Sequence, residues 1–255
     1  DFMNRPEFLR LFASVCLLFT TACASTNQLQ DDNFNDPFEA TNRATYGFNK
    51  AVDEAVISPF ITGYETVIPE VPRKGISNAM RNLREPWTFV NDILQFKFKR
   101  ATTTLGRFIV NSTLGVGGLL KPSDSMGIKH HSEDLGQTFA VWGIKDTPYI
   151  VLPFVGPSSG ADAIGFTAFV FADPVTLGIA RLDEKGMNLA RTTLDAVDLR
   201  ASLDATLRSV YEDENGYELM RSAYRQNRTY EIYDGRPPEQ DSDIFDELED
   251  EEDDQ

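Results

Sequence analysis

The sequence predicts a predominantly α-helical protein built from many short amphipathic segments. Three observations carry that expectation. Apolar residues recur at helical spacing in one segment after another, strict two-residue alternation is nearly absent, and proline and glycine cut the chain into short pieces. The 255 residues suffice for one large domain or two small ones, the apolar share of 41% is ordinary for a globular chain, and no internal repeat is present.

Residues 36–56, DPFEATNRATYGFNKAVDEAV, open with helix-start signals. Asp36 suits the cap, Pro37 the first turn, and Glu39 the position three after the cap. Ala44, Phe48, Ala51, Val52, Ala55 and Val56 then make one apolar face. Pro59, Pro69 and Pro72 divide the next stretch, RKGISNAMRNL (73–83) reads as a short basic amphipathic helix, and REPWTFVNDILQ (84–95) opens another with Pro86 at its start. In KFKRATTTLGRFIVNS (97–112), Phe98, Ala101, Leu105, Phe108, Ile109 and Ser112 lie on one side of a helix. Lys99, Arg100, Thr103, Arg107 and Asn111 lie on the other. The helix ends in LGVGGLL, where Gly115, Gly117 and Gly118 close it or bend the backbone.

After a polar loop through residue 134, DLGQTFAVWG (134–143) predicts a short helix stopped by Gly143. PYIVLPFVGPSSG (148–160) is apolar and bracketed by proline and glycine, which suits either a strand pair or a hydrophobic hairpin loop. Residues 161–182 are apolar and small, with a break at Asp173–Pro174. A long helix is expected from Glu184 to about Arg208, with Ala190, Leu194, Val197 and Ala201 on one face. Another follows around 215–228, where Tyr217, Met220 and Tyr224 stand opposite Arg221, Arg225 and Arg228.

The first residues read as a secretory targeting segment: Arg5 and Arg10, then the apolar run LFASVCLLF (11–19), then TTAC ending at Cys23. The end resembles a lipobox with Thr20 in the usual leucine place, so that Cys23 is the lipid-attachment residue; the other reading is an ordinary signal peptide cut near Ala22. The expected organisation is a signal peptide (1–22), a lipidated flexible tether (23–35), a helical domain (36–235) and a disordered acidic tail (236–255). The absence of Asp after Cys23 favours the outer membrane over the inner. Beyond the N-terminus no window reaches the roughly 18–20 uninterrupted apolar residues of a spanning helix, so no simple transmembrane helix is expected there.

The formal charge of −16 is concentrated near the C-terminus: residues 239–254 hold 11 Asp or Glu and no Lys or Arg, leaving 24 basic against 29 acidic residues elsewhere. No basic stripe exists to neutralise phosphates, which argues against nucleic acid as a partner. Catalytic signals are equally sparse. His130 and His131, the two histidines, are adjacent in a polar loop and read as a solvated pair. GPSSG around Ser158 and Ser159 is not the GxSxG of a nucleophile elbow, and GVGG lacks the strand and helix of a phosphate loop. Carboxylate pairs such as Asp53–Glu54 and Glu133–Asp134 read as helix starts or solvated faces. No enzyme, metal or cofactor is expected. The helices themselves, with wide apolar faces and basic edges, are suited to a membrane interface, where Trp87 and Trp142 would mark the headgroup level.

Five stretches in order, DPFEATNRATYGFNKAVDEAV, NLREPWTFVNDILQ, TLGRFIVNSTLGVGGL, EDLGQTFAVWG with PYIVLPFVGPSSGAD, and MRSAYRQNRTYEIYDG, resemble the MlaA (VacJ) outer-membrane lipoproteins over about residues 36–235. The resemblance implies a ring-like bundle of short amphipathic helices embedded in the inner leaflet of the outer membrane of a Gram-negative bacterium, with an apolar hairpin loop at residues 142–160. It implies removal of mislocalised phospholipid from the outer leaflet through an amphipathic channel, beside a trimeric porin, with transfer to a soluble periplasmic carrier, MlaC. On this basis Lys97, Lys99, Arg100 and Arg107 are expected near phosphate and Asn111 on the polar wall. Phe108, Ile109, Val151, Leu152 and Phe154 are expected beside acyl chains, with Gly115, Gly117 and Gly118 admitting close backbone approach. The competing classes are a membrane-anchored lipid hydrolase and a purely structural surface lipoprotein.

Overall fold

The structure, a computed structural model, describes residues 36–145, 147–181 and 185–237. The expected signal peptide, the tether with Cys23, and the acidic tail beyond residue 237 lie outside the described residues. Helices dominate, as expected. Helix α1 (Glu39–Val52) runs through a π-helical turn (Asp53–Ile57) into α2 (Ser58–Val67), followed by α3 (Glu70–Leu94), α4 (Phe98–Thr113), the single turn α5 (Pro122–Ser125) and α6 (Leu135–Val141). A hairpin of β1 (Tyr149–Leu152) and β2 (Gly156–Ser159) precedes α7 (Gly160–Ala172), α8 (Pro174–Arg181), α9 (Lys185–Ser202), α10 (Asp204–Glu212) and α11 (Gly216–Ile232).

Several boundaries differ from the expected ones. The two helices expected on either side of residue 84 are one 25-residue helix, α3, with Pro86 in its interior. Proline removes one backbone hydrogen bond there, but α3 packs along α4, and that tertiary contact carries the helix through. The long helix expected from Glu184 to Arg208 is interrupted at Leu203, between α9 and α10. Asp36 does not cap α1: it accepts hydrogen bonds from Asn42 Nδ2 (2.7 Å), Tyr217 Oη and Arg221 (3.0 Å), so it ties α1 to α11. Gly160–Arg181 is, by length and composition, 22 residues apolar enough to cross a membrane, although Asp162 and Asp173 interrupt its apolar run. The expected break inside it is present, since Asp173 has ψ 127° and separates α7 from α8.

Helices α3 and α4 form the central helical hairpin. The turn between them closes with Lys97 N–H donating to the Asp92 carbonyl (2.8 Å) and places Phe96 at φ 59°. A small aromatic core gathers where α1, the β-hairpin, α10 and α11 meet: Tyr46 packs edge-on to Tyr211 and Tyr217, beside buried Val151, Val210 and Met220.

The distribution of polarity is the unusual feature. Among the described residues, buried polar and charged side chains outnumber buried hydrophobic ones, while Phe48, Val56, Phe60, Phe98, Leu105, Ile109, Phe154, Phe166 and Phe171 are all exposed. On α4 the inward stripe is Ala101, Thr104, Arg107 and Asn111. On α3 it is Met80, Asn82, Glu85, Trp87, Thr88, Asn91 and Asp92. On α4 the large apolar side chains Phe98, Leu105 and Ile109 lie on the outer face, whereas α10 and α11 bury Val210, Tyr211, Tyr217 and Met220. Two expectations change accordingly. Trp87 is buried edge-on against Phe169, whereas Trp142 is exposed and donates to the Leu94 carbonyl (3.0 Å). Asp53 is not a solvated helix-start carboxylate but is gripped by Arg200 through two bonds of 2.6 and 2.8 Å, joining α9 to the π-turn.

A polar interior is stable only if its charges are paired. Asp173 accepts from Arg191 (2.8 Å) and from the Thr176 amide and hydroxyl (2.9 Å each), and both charged side chains are buried. Asp173→Ala leaves Arg191 buried without that partner and is expected to cost about 3–5 kcal/mol, read as a lowered denaturant midpoint in detergent. A midpoint equal to wild type would show that Arg191 finds solvent instead.

Candidate functional site

The β-hairpin overlies a concave feature of the described residues. The strands pair antiparallel from Tyr149 opposite Ser159 to Leu152 opposite Gly156. The free edge of β1 is held by two asparagines of α1. Asn42 donates to the Tyr149 carbonyl (3.0 Å) and accepts from Val151 N–H (2.8 Å). Asn49 donates to the Leu152 carbonyl (2.9 Å) and accepts from Phe154 N–H (2.8 Å). Seven residues is two helical turns, so the two amides share one face of α1 and substitute for a neighbouring strand. At the tip Phe154 sits at φ 64°, exposed, and stacks edge-on against Phe48 at 5.3 Å. At the other end of β1 Tyr149 is buried, and burial pushes its phenol above the usual range.

Below the hairpin lies a cavity of about 330 Å³, bordered by Ile144, Lys145, Tyr149, Asp162, Arg221, Tyr224, Arg225, Arg228 and Ile232 among others. One wall is organised by Arg228, whose guanidinium clamps Asp134 through two bonds of 2.7 Å and also bonds Asp162 and Glu231. Tyr224 donates to Asp162; burial and that carboxylate push its phenol upward. Gly136 is obligatory here, because a Cβ would overlap the Asp162 carboxylate and the Arg228 guanidinium. Asp134 also caps α6 by accepting from Gln137 N–H (2.8 Å), as its sequence position suggests. Lys145 reaches the Tyr233 hydroxyl (3.4 Å) and lies 5.1 Å over its ring. The cavity lining therefore combines paired cations and anions with apolar side chains such as Ile144 and Ile232.

The residues singled out from sequence fall in two places. Lys97 bonds Glu133 (3.2 Å) and Asp234 (2.8 Å); Arg100 pairs with Glu133 (3.0 Å) and Asp234. Arg107 is buried between Glu85 (3.2 Å), Asp124 (2.9 Å) and the Ile128 carbonyl. Asn111 accepts from Ser123 N–H (3.2 Å). Lys99 and Ile109 are exposed and Phe108 is half-buried. Gly115 and Gly118 are buried, and a Cβ on Gly118 would come within 2.6 Å of Asn82, while Gly117 is open at φ 70°. These residues line the α3–α4 side. Val151, Leu152 and Phe154 belong to the hairpin: Val151 is buried in the aromatic core, Leu152 is half-buried and Phe154 exposed. Cys23 lies outside the described residues.

Sequence reading passed over Asn42, Asn49, Glu85, Asp92 and Asp162. The signal available was the spacing of the two asparagines and the supply of arginines on facing helices. The two histidines, expected as a solvated pair, each meet a carboxylate: His130 meets Glu85 (3.2 Å) and His131 packs against Asp92 (3.0 Å). The serines are placed structurally: Ser158 is buried and donates to the Ser159 carbonyl, and Ser159 caps α7 by accepting from Asp162 N–H (3.1 Å).

The family model described as MlaA lipoprotein matches residues 34–231. The chain belongs to the MlaA lipoprotein family. It is 30% identical over 232 residues to the Escherichia coli intermembrane phospholipid transport system lipoprotein MlaA, covering 87% of this chain and 89% of that protein. It is 31% identical over 127 residues to an uncharacterized protein of Rickettsia typhi, covering 50% of this chain; the match spans about half of that relative, 51% of its length. A solved structure described as the structural basis for maintenance of bacterial outer membrane lipid asymmetry superposes with a TM-score of 0.67 at 25% identity, covering 77% of this chain and 98% of that one. The helical MlaA fold inferred from the five sequence stretches is thus the fold observed.

Burial raises the Asp134 carboxyl, and Arg228 more than offsets it, so the group sits below its ordinary value of 3.8. A carboxylate depressed in the folded state contributes stability that is present above 3.8 and lost as pH falls through the folded value. Its side chain is 42% exposed, so screening holds the contribution to about 1 kcal/mol. Asp134→Asn is expected to be less stable than wild type by that amount at pH 7. The two proteins are expected to converge below the carboxylate range, as read by denaturant midpoints at pH 7 and pH 3.

Proposed function

We propose that this chain is an outer-membrane lipoprotein that removes mislocalised phospholipid from the outer leaflet and passes it towards the periplasm. The observation that carries the proposal is the outward apolar and inward polar arrangement of its central helices, in a member of a family whose Escherichia coli relative is named for intermembrane phospholipid transport. Helices with exposed Phe, Leu and Ile are stable where the surroundings are acyl chains, and they leave a wet seam inside. A phospholipid needs both: a polar route for the headgroup, whose burial in hydrocarbon is costly, and apolar surface for its tails.

In this reading the acylated Cys23 anchors the chain on the periplasmic-leaflet side, a trimeric porin stands beside it, and a soluble MlaC-like carrier receives the lipid. The helices close into a ring around the passage. The cavity under the hairpin supplies the headgroup route, with Lys145 on its border towards phosphate and its wall held in shape by the Arg228 ion pairs. Lys99, exposed at the start of α4, attracts phosphate at the surface. Ile109, Phe108, Leu152 and Phe154 face acyl chains. Lys97, Arg100, Arg107 and Asn111 serve the passage through its wall: their charges and amide are committed to carboxylates and backbone, which holds α3, α4 and the following loop in register. Gly115, Gly117 and Gly118 let the loop after α4 close on α3. Val151 supports the hairpin from the aromatic core.

The test is transport in cells. Leu152→Asp combined with Phe154→Asp is expected to leave the protein in the outer membrane but raise outer-leaflet phospholipid and detergent sensitivity towards the level of a deletion strain. Wild-type lipid asymmetry in that double variant would remove the hairpin from the mechanism. A deletion strain with unchanged outer-leaflet phospholipid would remove transport altogether.

A further inference from the structure

Asp92, His131 and Glu133 form a cluster that the transport reading leaves without a task. One ligand atom from each, the imidazole nitrogen and two carboxylate oxygens, lies within 4.8 Å of the others. His131 Nε2 is 3.1 and 3.0 Å from the two Asp92 oxygens. The Asp92 and Glu133 side chains are fully buried and His131 is 16% exposed. Buried carboxylates are stable only when compensated. Glu133 has Lys97 and Arg100 on its Oε1. Asp92 has neither so close: Arg100 Nε, its nearest permanent cation, is 3.9 Å away, and its near neighbours are the Thr104 hydroxyl (2.6 Å) and His131. Lys97 and Arg100 are shared with Asp234, so three carboxylates face two permanent cations. One negative charge is in excess of the permanent cations, and the His131 imidazole is the remaining group beside it.

A second, independent observation sits beside it. Gln95 is buried, donates Nε2 to Glu133 Oε2 (2.9 Å) and Thr138 Oγ1 (3.1 Å), and has no partner for its Oε1. Rotating that amide turns its oxygen towards Glu133 and places the NH2 where the orphaned acceptor was, at the loss of the Thr138 bond; two oxygens then face each other, which a cation between them would compensate.

We propose that Asp92, His131 and Glu133 form a binding site for a divalent transition-metal ion of the zinc type, with the Gln95 carbonyl oxygen as a fourth ligand. One imidazole nitrogen with carboxylate oxygens is a donor set for such ions. Ligands about 2.1 Å from a tetrahedral centre are roughly 3.4 Å apart; the His131–Asp92 separations are already near that, and Glu133, within 4.8 Å of the others, has to close by at most about 1.4 Å. Because Lys97 and Arg100 occupy Oε1, Oε2 is the Glu133 oxygen left to the metal. The Thr104 hydroxyl lies 2.6 Å from Asp92 Oδ2 and 3.2 Å from His131 Nε2, so it borders the site and orients both ligands. The ion joins the last turn of α3 to the segment 131–134, and so steadies Asp134, which holds Arg228 in the cavity wall. The site is structural, and it stands whether or not the cavity conducts lipid.

The experiment uses the full chain in detergent, stripped with EDTA and titrated with ZnCl2 by calorimetry. The expected result is one zinc-dependent class of site with micromolar or tighter affinity and a raised melting temperature. Affinity falls at least tenfold in Asp92→Asn and His131→Ala but is retained in His130→Ala, whose side chain meets Glu85 instead. Absence of binding in wild type, or binding insensitive to both substitutions, overturns the proposal. X-ray absorption on the zinc-loaded wild type needs no variant: an imidazole nitrogen among the ligands supports the site. An all-oxygen shell overturns it, as it would signal binding to carboxylates elsewhere.

Discussion

The structure depends on one constraint: its central helices α3 and α4 bury mainly polar groups, which meet inside and must satisfy one another. In a protein surrounded by water the hydrophobic effect would draw Phe98, Leu105 and Ile109 into a core. Here the inner face of α4 is Ala101, Thr104, Arg107 and Asn111. Each buried charge then needs a partner on another element, and the partners define the fold. Arg107 joins α4 to α3 through Glu85 and to α5 through Asp124. Arg200 joins α9 to the π-turn through Asp53, and Arg191 joins α9 to the α7–α8 break through Asp173. Such pairs add little net stability over an apolar core, but breaking one leaves an uncompensated charge, so they specify which helices meet.

The same constraint explains the hairpin. A two-stranded ribbon is marginal by itself. This one is held by Asn42 and Asn49, which saturate the outer edge of β1, and by Tyr149 and Val151 in the aromatic core. Its tip, with Phe154 and Val155, remains exposed beside Phe48. A rigidly edged ribbon with an apolar tip, over a cavity whose charges are locked by Arg228, combines the two surfaces that a phospholipid presents.

Much of the local structure was legible in the chain. The cap at Asp134, the stop at Gly143, the break at Asp173–Pro174 and the paired strands between Pro148 and Gly160 rest on short-range chemistry that any neighbour leaves intact. Pro86 misled because its single lost hydrogen bond is small beside the packing of a 25-residue helix on α4. The histidines misled for a different reason. Adjacent residues in a polar loop read as solvated, yet Glu85 and Asp92 lie seven residues apart on α3 and receive one histidine each. Loop residues 45 and 39 positions away from their partners give no periodic signal. The same applies to the cations of α4, whose carboxylate partners include Asp234 at the far end of the fold.

By itself the sequence determined that the chain is helical, where many of its elements start and stop, that each helix has two faces, and, through five extended matches, which family it belongs to. Those properties follow from backbone propensity, capping and spacing, which act over a few residues. Only the tertiary structure decided which face turns inward, and therefore which charges are exposed and which are consumed in pairs. An amphipathic pattern is symmetric between a dry core with a wet surface and the reverse; the choice is made by how helices distant in sequence satisfy one another's buried groups.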